Sequence, residues 1–370
     1  MQNAQALVVQ SSLASNTYSE LDFNGNILIP FYFFSGYQQN IDEIIMTISA
    51  AVFFKETQGV TDEMGDFFSF TWASYAGLRE LWWQTRGFKS CYPDISDKEL
   101  YEKFFSGLQL PGRVDLKTLC ISMDWEEHEY RFSSNLIFNA CTLFETWIER
   151  VCSYTIPSNQ DWFPKALQCP LLPSTTNQKN YIDCINYIKS NKSNYLDDEI
   201  LPFLIKHKAN AWPRLNSLLI IYTYFKSIRN NLVHSGGVVT KTIVNKQNAL
   251  ILELLTNGNP VKGAFEMPTQ ILGEKIKLPI KDSINIYSVL KCLIFTYDAA
   301  LSTTNHSEDT FKKRLRNTVE NNKHSLYRVP VEIKKRNRVL RSILLRSKLP
   351  TNIDFDNFYT YLVSNGIISQ

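Results

Sequence analysis

The sequence predicts a mainly α-helical protein, and three observations lead there. Apolar residues recur at three- and four-residue intervals along EEHEYRFSSNLIFNACTLFETWIERVCSYTI, along the stretch from Pro213 to His234, and along INIYSVLKCLIFTYDAAL, which is the period of a helix face and not of a strand. Strand-like runs are short and confined to residues 1–35 and 238–280. Hydrophobic residues make up 44% and charged residues 20% of the 370, the balance of a chain that folds around a core.

Taken in order, residues 1–35 hold β-branched and aromatic runs (ALVV, NILIPFYFF) that read as a few strands or extended segments. Asp42 to Lys55 reads as a helix. Another runs from about Glu63 to Arg86, where Phe67, Phe68, Phe70, Trp72, Tyr75, Leu78, Leu81, Trp82 and Trp83 give a strongly aromatic surface. That surface belongs either to a core helix packed on its neighbours or to a face for a partner protein. Pro93 and Leu110-Pro111-Gly112 bracket a shorter helix at Asp97 to Leu108. A boundary near 110–125 sets off an α-rich N-terminal domain, 1–120, of sensing, regulatory or partner-binding type. A helical domain, 121–305, follows.

Within that domain, Leu136, Ile137, Ala140, Leu143, Phe144, Trp147, Ile148 and Val151 form one broad apolar stripe. Pro157, Pro164, Pro170 and Pro173 mark an irregular connection, and helices follow at about Asn177 to Ser190 and Asp197 to His207. Pro213 opens the next helix in the first turn, where proline fits. Leu215, Leu218, Leu219, Tyr222, Phe225 and Leu232 carry its stripe to His234, and Ser235-Gly236-Gly237 stops it. VVTKTIV, ALILELL, the NGNP turn, MPTQILG and EKIKLPI then predict a small β-hairpin or meander over 238–280. Helix returns at about Ile284 to Leu301, apolar nearly all round and therefore central. Residues 306–370 form a basic helical tail.

Several function classes find no support. The apolar stretch Ile27 to Phe34 contains Pro30 and is far below the roughly 20 residues of a bilayer helix, and MQNAQALVVQSS lacks a signal peptide's basic and apolar regions. A cytoplasmic chain is expected. The seven cysteines (91, 120, 141, 152, 169, 184, 292) are widely spaced with no Cys-x-x-Cys pair, and the five histidines show no His-Glu-x-x-His pattern. Reduced thiols, no tightly bound metal and no cofactor follow. No phosphate loop, GxGxxG or GxSxG motif is present, which disfavours an ATPase, a dinucleotide-dependent oxidoreductase or an α/β-hydrolase.

Charge is uneven. Residues 312–348 carry thirteen Lys/Arg, among them Lys312, Lys313, Arg314, Arg316, Lys334, Lys335, Arg336 and Arg338, against Glu320 and Glu332. That segment is +11 and the rest of the chain −8, within an overall +3. The tail is either a face for an anion such as RNA or a solvated amphipathic helix.

The stretch RNNLVHSGG, residues 229–237, draws most attention. Arg229 falls about 20° and 40° from Tyr222 and Leu215 at 100° per residue, on the apolar stripe itself. Such an arginine either meets a carboxylate or faces a cleft or subunit interface where an anion binds. Asn230 and His234 are four apart, so the amide can orient the imidazole. His234 lies about 140° around the axis from Arg229, not on the same face. A helix C-terminus, where the macrodipole favours positive charge, suits a group that donates a proton. The residues equally allow an arginine paired with a carboxylate of another helix and a histidine capping the last carbonyls.

Arg229-Asn230-Asn231-Leu232-Val233-His234, after an apolar IIYTYFKSI and an earlier amphipathic helix with LFETWIE, resembles the HEPN superfamily (higher eukaryotes and prokaryotes nucleotide-binding) over about residues 125–305. The resemblance implies a HEPN-like helical bundle and a metal-independent endoribonuclease of the defence, toxin or abortive-infection kind. His234 would then act as acid/base at the 2′-hydroxyl or the leaving oxygen, Arg229 would stabilise phosphate charge, and Asn230 would hold the histidine or the phosphate. Glu145, at the edge of the apolar stripe, resembles an acidic position of some members and would then pair with Arg229; it also reads as an ordinary boundary glutamate. Products would carry 2′,3′-cyclic phosphates. Implied partners are RNA (tRNA, mRNA or phage RNA), a second copy in a homodimer, and an antitoxin or sensor protein. The chain departs from members silenced at a His-x-Tyr tyrosine, since Ser235-Gly236 follows His234 here. The alternatives are a non-catalytic HEPN nucleotide-binding or dimerisation module, and a helical protein-interaction scaffold.

Overall fold

The structure, a computed structural model, describes residues 20–21, 27–28, 52–107, 112, 114–168, 179–321 and 328–369. The chain divides into two compact units, 1–48 and 49–370. In the first, β1 (Glu20–Leu21) pairs antiparallel with β2 (Ile27–Leu28), Glu20 opposite Leu28 and Leu21 opposite Ile27. These strands fall in the region where short strands are expected, whereas most of the helix expected from Asp42 lies outside the described residues.

The second unit is helical. Its elements are α1 (Lys55–Cys91), α2 (Asp97–Phe105), a π-helical turn (Lys117–Ser122), α3 (Trp125–Thr155), α4 (Trp162–Gln168) and α5 (Tyr181–Ser190). There follow a second π-helical turn (Leu196–Ile200), α6 (Leu201–Leu204), a 3₁₀ turn (Trp212–Arg214), α7 (Leu215–His234), α8 (Lys241–Asn257) and α9 (Ile280–Ser302). The chain ends with α10 (Asn305–Glu320), α11 (Ile333–Arg346) and α12 (Phe355–Ser364). Residues 120 and 305, where the sequence suggests domain limits, both lie inside this unit.

The centre is α9, which packs on α3, α7, α1 and α10. It has the length and apolarity of a membrane-crossing helix, but 72% of its most apolar window is buried among the other helices, so core packing accounts for its composition. The apolar stripe of α3 is buried as its period requires, with Leu136, Ile137, Ala140, Phe144, Trp147, Ile148 and Val151 all inside. On α7, Leu215, Leu218, Leu219, Tyr222, Phe225 and Ile228 face inward. The aromatic residues of α1 divide between packed and exposed positions. Tyr75 makes edge-to-face contacts with Trp72 of its own helix and with Trp125 and Phe132 of α3, the last two joining α1 to α3, while Phe70 and Trp83 are exposed.

The polar anchor of the unit is Asp298, buried in the middle of α9's last third. Its Oδ2 accepts from the Phe53 N–H at 2.7 Å, and its Oδ1 accepts from the Phe54 N–H at 3.1 Å and the Thr57 hydroxyl at 2.6 Å. Phe54 is the N-cap of α1, and its N–H is one of the donors a helix start leaves without an intrahelical partner. No side chain of α1 caps its own start at Phe54, so a carboxylate from another helix does so. Trp147 of α3 donates to the same Thr57 hydroxyl at 3.0 Å. Arg314 of α10 donates to the Phe53 carbonyl at 2.6 Å and the Lys348 carbonyl at 3.1 Å. Burial pushes the Asp298 carboxyl up to about 6 against these bonds.

The expected β-hairpin or meander over 238–280 is overturned. Residues 241–257 form α8, because Ile243, Gln247 and Leu250 are buried at helical spacing and the second half is rich in leucine, which outweighs the β-branched residues at its start. Gly258, at φ 73°, ends the helix. Of strand pairing there remains, among the described residues of 238–280, a single bridge between Val238 and Lys275. Buried side chains hold the rest of the segment. Asp282 accepts from the Glu266 and Met267 N–H groups, and Gln247 and Gln270 bond each other and the carbonyls of Pro268 and Lys277. The helix expected over Asp197 to His207 is shortened to the second π-helical turn and the four residues of α6.

Asp298→Asn keeps the shape but turns an N–H toward a donor the carboxylate must accept. The variant is expected to lose about 1–3 kcal/mol of unfolding free energy in urea titrations. Because the carboxyl titrates above its ordinary 3.8 in the folded chain, the folded state takes up the proton first as pH falls. The wild type's advantage over the variant therefore grows from about pH 7 to about pH 5 and levels off below the ordinary carboxyl range; an advantage that shrank over that interval would contradict this account.

Candidate functional site

Where the sequence places its unusual arginine, the structure builds a charged cluster between α3, α4 and α7. Arg229 sits on the inward face of α7 next to the buried Ile228 and meets Glu145 of α3 through Nη2 and Oε2. A second cation shares this carboxylate. Lys226, one turn earlier on α7, places Nζ 2.9 Å from Glu145 Oε1. The Tyr222 hydroxyl reaches the same oxygen at 3.5 Å. Lys226 also donates to the Gln168 carbonyl at the end of α4 at 2.9 Å, and the Gln168 amide bonds Glu149 at 3.1 Å. The three charged side chains are about four-fifths buried, at 21%, 18% and 15% exposure for Arg229, Glu145 and Lys226. Two cations on one carboxylate leave a net positive charge in a partly desolvated place, where it acts more strongly than at the surface. Cys141, one turn before Glu145 on α3, is fully buried, and desolvation pushes its thiol up to about 12, which removes it as a nucleophile.

Asn230 is exposed, and its Oδ1 accepts from Arg229 Nη1 at 3.0 Å. The amide therefore orients the arginine and not, as the four-residue spacing suggests, the histidine. Electrostatics explains the choice, since a guanidinium donor is the stronger partner. His234 is the last residue of α7 and is exposed. Its imidazole makes no hydrogen bond with any described residue. Nor does it cap the Asn231 carbonyl, which accepts from the Ser235 N–H at 2.7 Å and the Gly237 N–H at 3.4 Å. Asn231 itself is buried, with an Oδ1 that has no hydrogen-bond partner among the described residues.

The glycine stop is required sterically as well as conformationally. Gly236 and Gly237 have φ of 63° and 74°, and a Cβ on Gly237 would lie 2.8 Å from the Tyr130 hydroxyl and 3.2 Å from the Leu232 side chain. Tyr130 of α3 thus stands against the turn that follows His234. Lys275 lies 4.0 Å over its ring and pairs with Glu127 at 2.5 Å.

Arg229, Asn230 and Glu145 are brought together and His234 stands at the end of the same helix. Sequence reasoning passed over Lys226, whose position three residues before Arg229 on one helix face was the available signal, and Tyr130, which nothing local marks. Several of the tail residues are engaged within the chain. Arg314 is partly buried against the Phe53 carbonyl, Arg316 donates to the Asn365 carbonyl at 3.1 Å, and Lys312 pairs with Glu308 at 2.8 Å. Arg336 pairs with Asp356 and stacks 5.0 Å from the Tyr359 ring, and Lys335 pairs with Glu332 at 2.7 Å. Lys313, Lys334 and Arg338 are exposed.

No protein-family model, curated protein or solved structure matches the chain.

The Glu145 cluster is expected to be energetically coupled. Glu145→Gln should cost about 1–2 kcal/mol, discounted from a fully buried pair for its residual exposure. Arg229→Gln should cost at least about 1 kcal/mol less in that background than in the wild type. Additive losses in a urea double-mutant cycle would show that the pair contributes nothing.

Proposed function

We propose that the chain is an endoribonuclease of HEPN type, with its site at the C-terminal end of α7. The observation that carries this reading is an exposed imidazole, His234, uncommitted to any described residue, at the end of the helix whose previous turns hold the positively charged Arg229–Lys226–Glu145 cluster. In RNA cleavage of this class the 2′-oxygen attacks the adjacent phosphorus and the bond to the 5′-oxygen breaks. The 2′-hydroxyl proton leaves to a base and the departing oxygen receives a proton from an acid. Products are a 2′,3′-cyclic phosphate and a 5′-hydroxyl. His234 performs one of these transfers. The guanidinium of Arg229, held by Glu145 and Asn230, retains further N–H donors for the phosphate as its charge builds. A single imidazole serves one proton transfer at a time, so the proposal includes a homodimer in which a second copy's helix end serves the other. The defence or toxin role and the RNA partners belong to the same proposal.

A second reading is favoured by the depth of the Arg229 pair: the cluster fastens α7 to α3, and the module is non-catalytic. The two readings separate on one preparation. Wild-type protein is expected to cleave total RNA or tRNA in EDTA and leave cyclic-phosphate ends, and His234→Ala, an exposed substitution, is expected to lose cleavage while keeping its melting temperature. Cleavage that survives in His234→Ala would sink the assignment. An inactive wild type with a large stability loss in Arg229→Ala favours the fastening role.

The exposed tail cations are proposed to contact the RNA backbone. Deletion of the tail would cut through packed helices, so charge reversal is the cleaner test. Lys334→Glu with Arg338→Glu is expected to weaken RNA binding and reduce the log–log salt slope by about 1–2. An unchanged slope rejects the contact.

A further inference from the structure

A cavity of about 690 Å³ opens beside the start of α1, lined also by the end of α3, by α10 and by the last residue of α11. It shares no lining residue with the site at the end of α7, and its argument is independent of that site. Its volume lies within the roughly 300–1,000 Å³ of small-molecule sites. Four of its lining residues are cations, Lys55, Lys313, Arg314 and Arg346, against a single acid, Glu56. Glu56 accepts from the Tyr154 hydroxyl at 2.5 Å and lies 4.0 Å from Lys55 Nζ, and the buried Asp298 adds a second negative charge near Arg314, so the four cations still outnumber the acids by two.

The geometry is preformed. Arg314 is clamped by two backbone carbonyls, those of Phe53 and Lys348. Phe53, Phe54 and Phe311 are buried and in ring contact, Phe53 with Phe54 at 4.8 Å and with Phe311 at 6.0 Å, so the walls are rigid where they meet the core. Lys55 of α1 and Lys313 of α10 line the cavity and are exposed. Asn317 and Thr310 add neutral hydrogen-bonding groups, and Tyr154 a half-buried ring. Cations gathered around one concave, partly low-dielectric surface repel one another and concentrate anions there. Several positive groups on a fixed guanidinium base suit a ligand with more than one negative oxygen, and the ring and amides suit an organic body attached to it.

We propose that this cavity binds a small phosphorylated ligand of nucleotide size, with Lys55 and Lys313 at its phosphate oxygens and the Arg314 guanidinium, already bonded to two carbonyls, as a fixed positive charge in the wall.

Isothermal titration of the full chain with ADP, with inorganic pyrophosphate and with adenosine tests this directly. ADP and pyrophosphate are expected to bind saturably and adenosine not to bind. The double reversal Lys55→Glu with Lys313→Glu is expected to weaken both phosphate probes at least tenfold, and Lys313→Ala alone about threefold, each with an unchanged far-UV spectrum. His234→Ala is expected to leave both affinities as they are. The proposal is overturned if neither phosphate probe binds, if adenosine binds as tightly as ADP, if the reversals leave affinity unchanged, or if His234→Ala abolishes binding.

Discussion

Much of the fold rests on one buried carboxylate. Asp298 leaves the central helix α9 and ends on the first turn of α1, where it accepts from two backbone N–H groups and a hydroxyl. The start of a 37-residue helix carries the positive end of its macrodipole and several donors without intrahelical partners. Removed from water, those donors need an acceptor, and an anion is the best one available. A buried anion in turn needs donors or cations. Thr57 and the two N–H groups supply the first, and Arg314 supplies the second from α10, while Trp147 bonds Thr57 from α3. Four helices therefore converge on one group. Each element satisfies a polar demand of another, and none of them does so with its own sequence neighbours.

Charge is treated the same way elsewhere in the unit. At Glu145 two cations from α7 converge on one carboxylate of α3. At the basic tail, Arg314, Arg316 and Arg336 are spent on carbonyls or a carboxylate, so a segment of +11 by sequence presents far fewer uncommitted cations than its count suggests. Guanidinium groups recur in these structural roles because a planar fork of five donors can satisfy several carbonyls at once. The lysines left exposed, Lys313 and Lys334 among them, are the ones suited to meet an external anion.

Legibility in the sequence follows the range of the determining interaction. The helices α3, α7 and α9 are written in a local period, and their buried residues agree with it. An arginine on an apolar stripe calls for a carboxylate or another anion, but only the family resemblance pointed to Glu145. By contrast, α8 was misread as strand. Its first residues are β-branched, and its helical spacing is marked by only three buried positions, one of them the polar Gln247. The partner of Asp298 lies 241 to 245 residues away, and nothing near Asp298 in the chain announces it. Asn230 shows a milder failure, since helical spacing permits a contact with His234 but a guanidinium one residue away competes better for the oxygen.

The two halves of the RNNLVH motif differ in how firmly they are held, and the difference bears on how such a site works. Arg229 is fastened to α3 through Glu145, with Lys226 and Gln168 extending the contact to α4. His234 ends its helix where two glycines in left-handed conformation follow. About 140° of helix rotation separates them. Because the arginine is anchored and α7 is packed along its length, the proposed meeting of imidazole and guanidinium at one phosphate would depend on the helix end. The Asn231 carbonyl holds that end through the Ser235 and Gly237 N–H groups, and Tyr130 stands against Gly237. The turn after the histidine is thus braced by α3, the same helix that supplies Glu145. One helix, α3, therefore contacts both Arg229, through Glu145, and the turn that follows His234, through Tyr130.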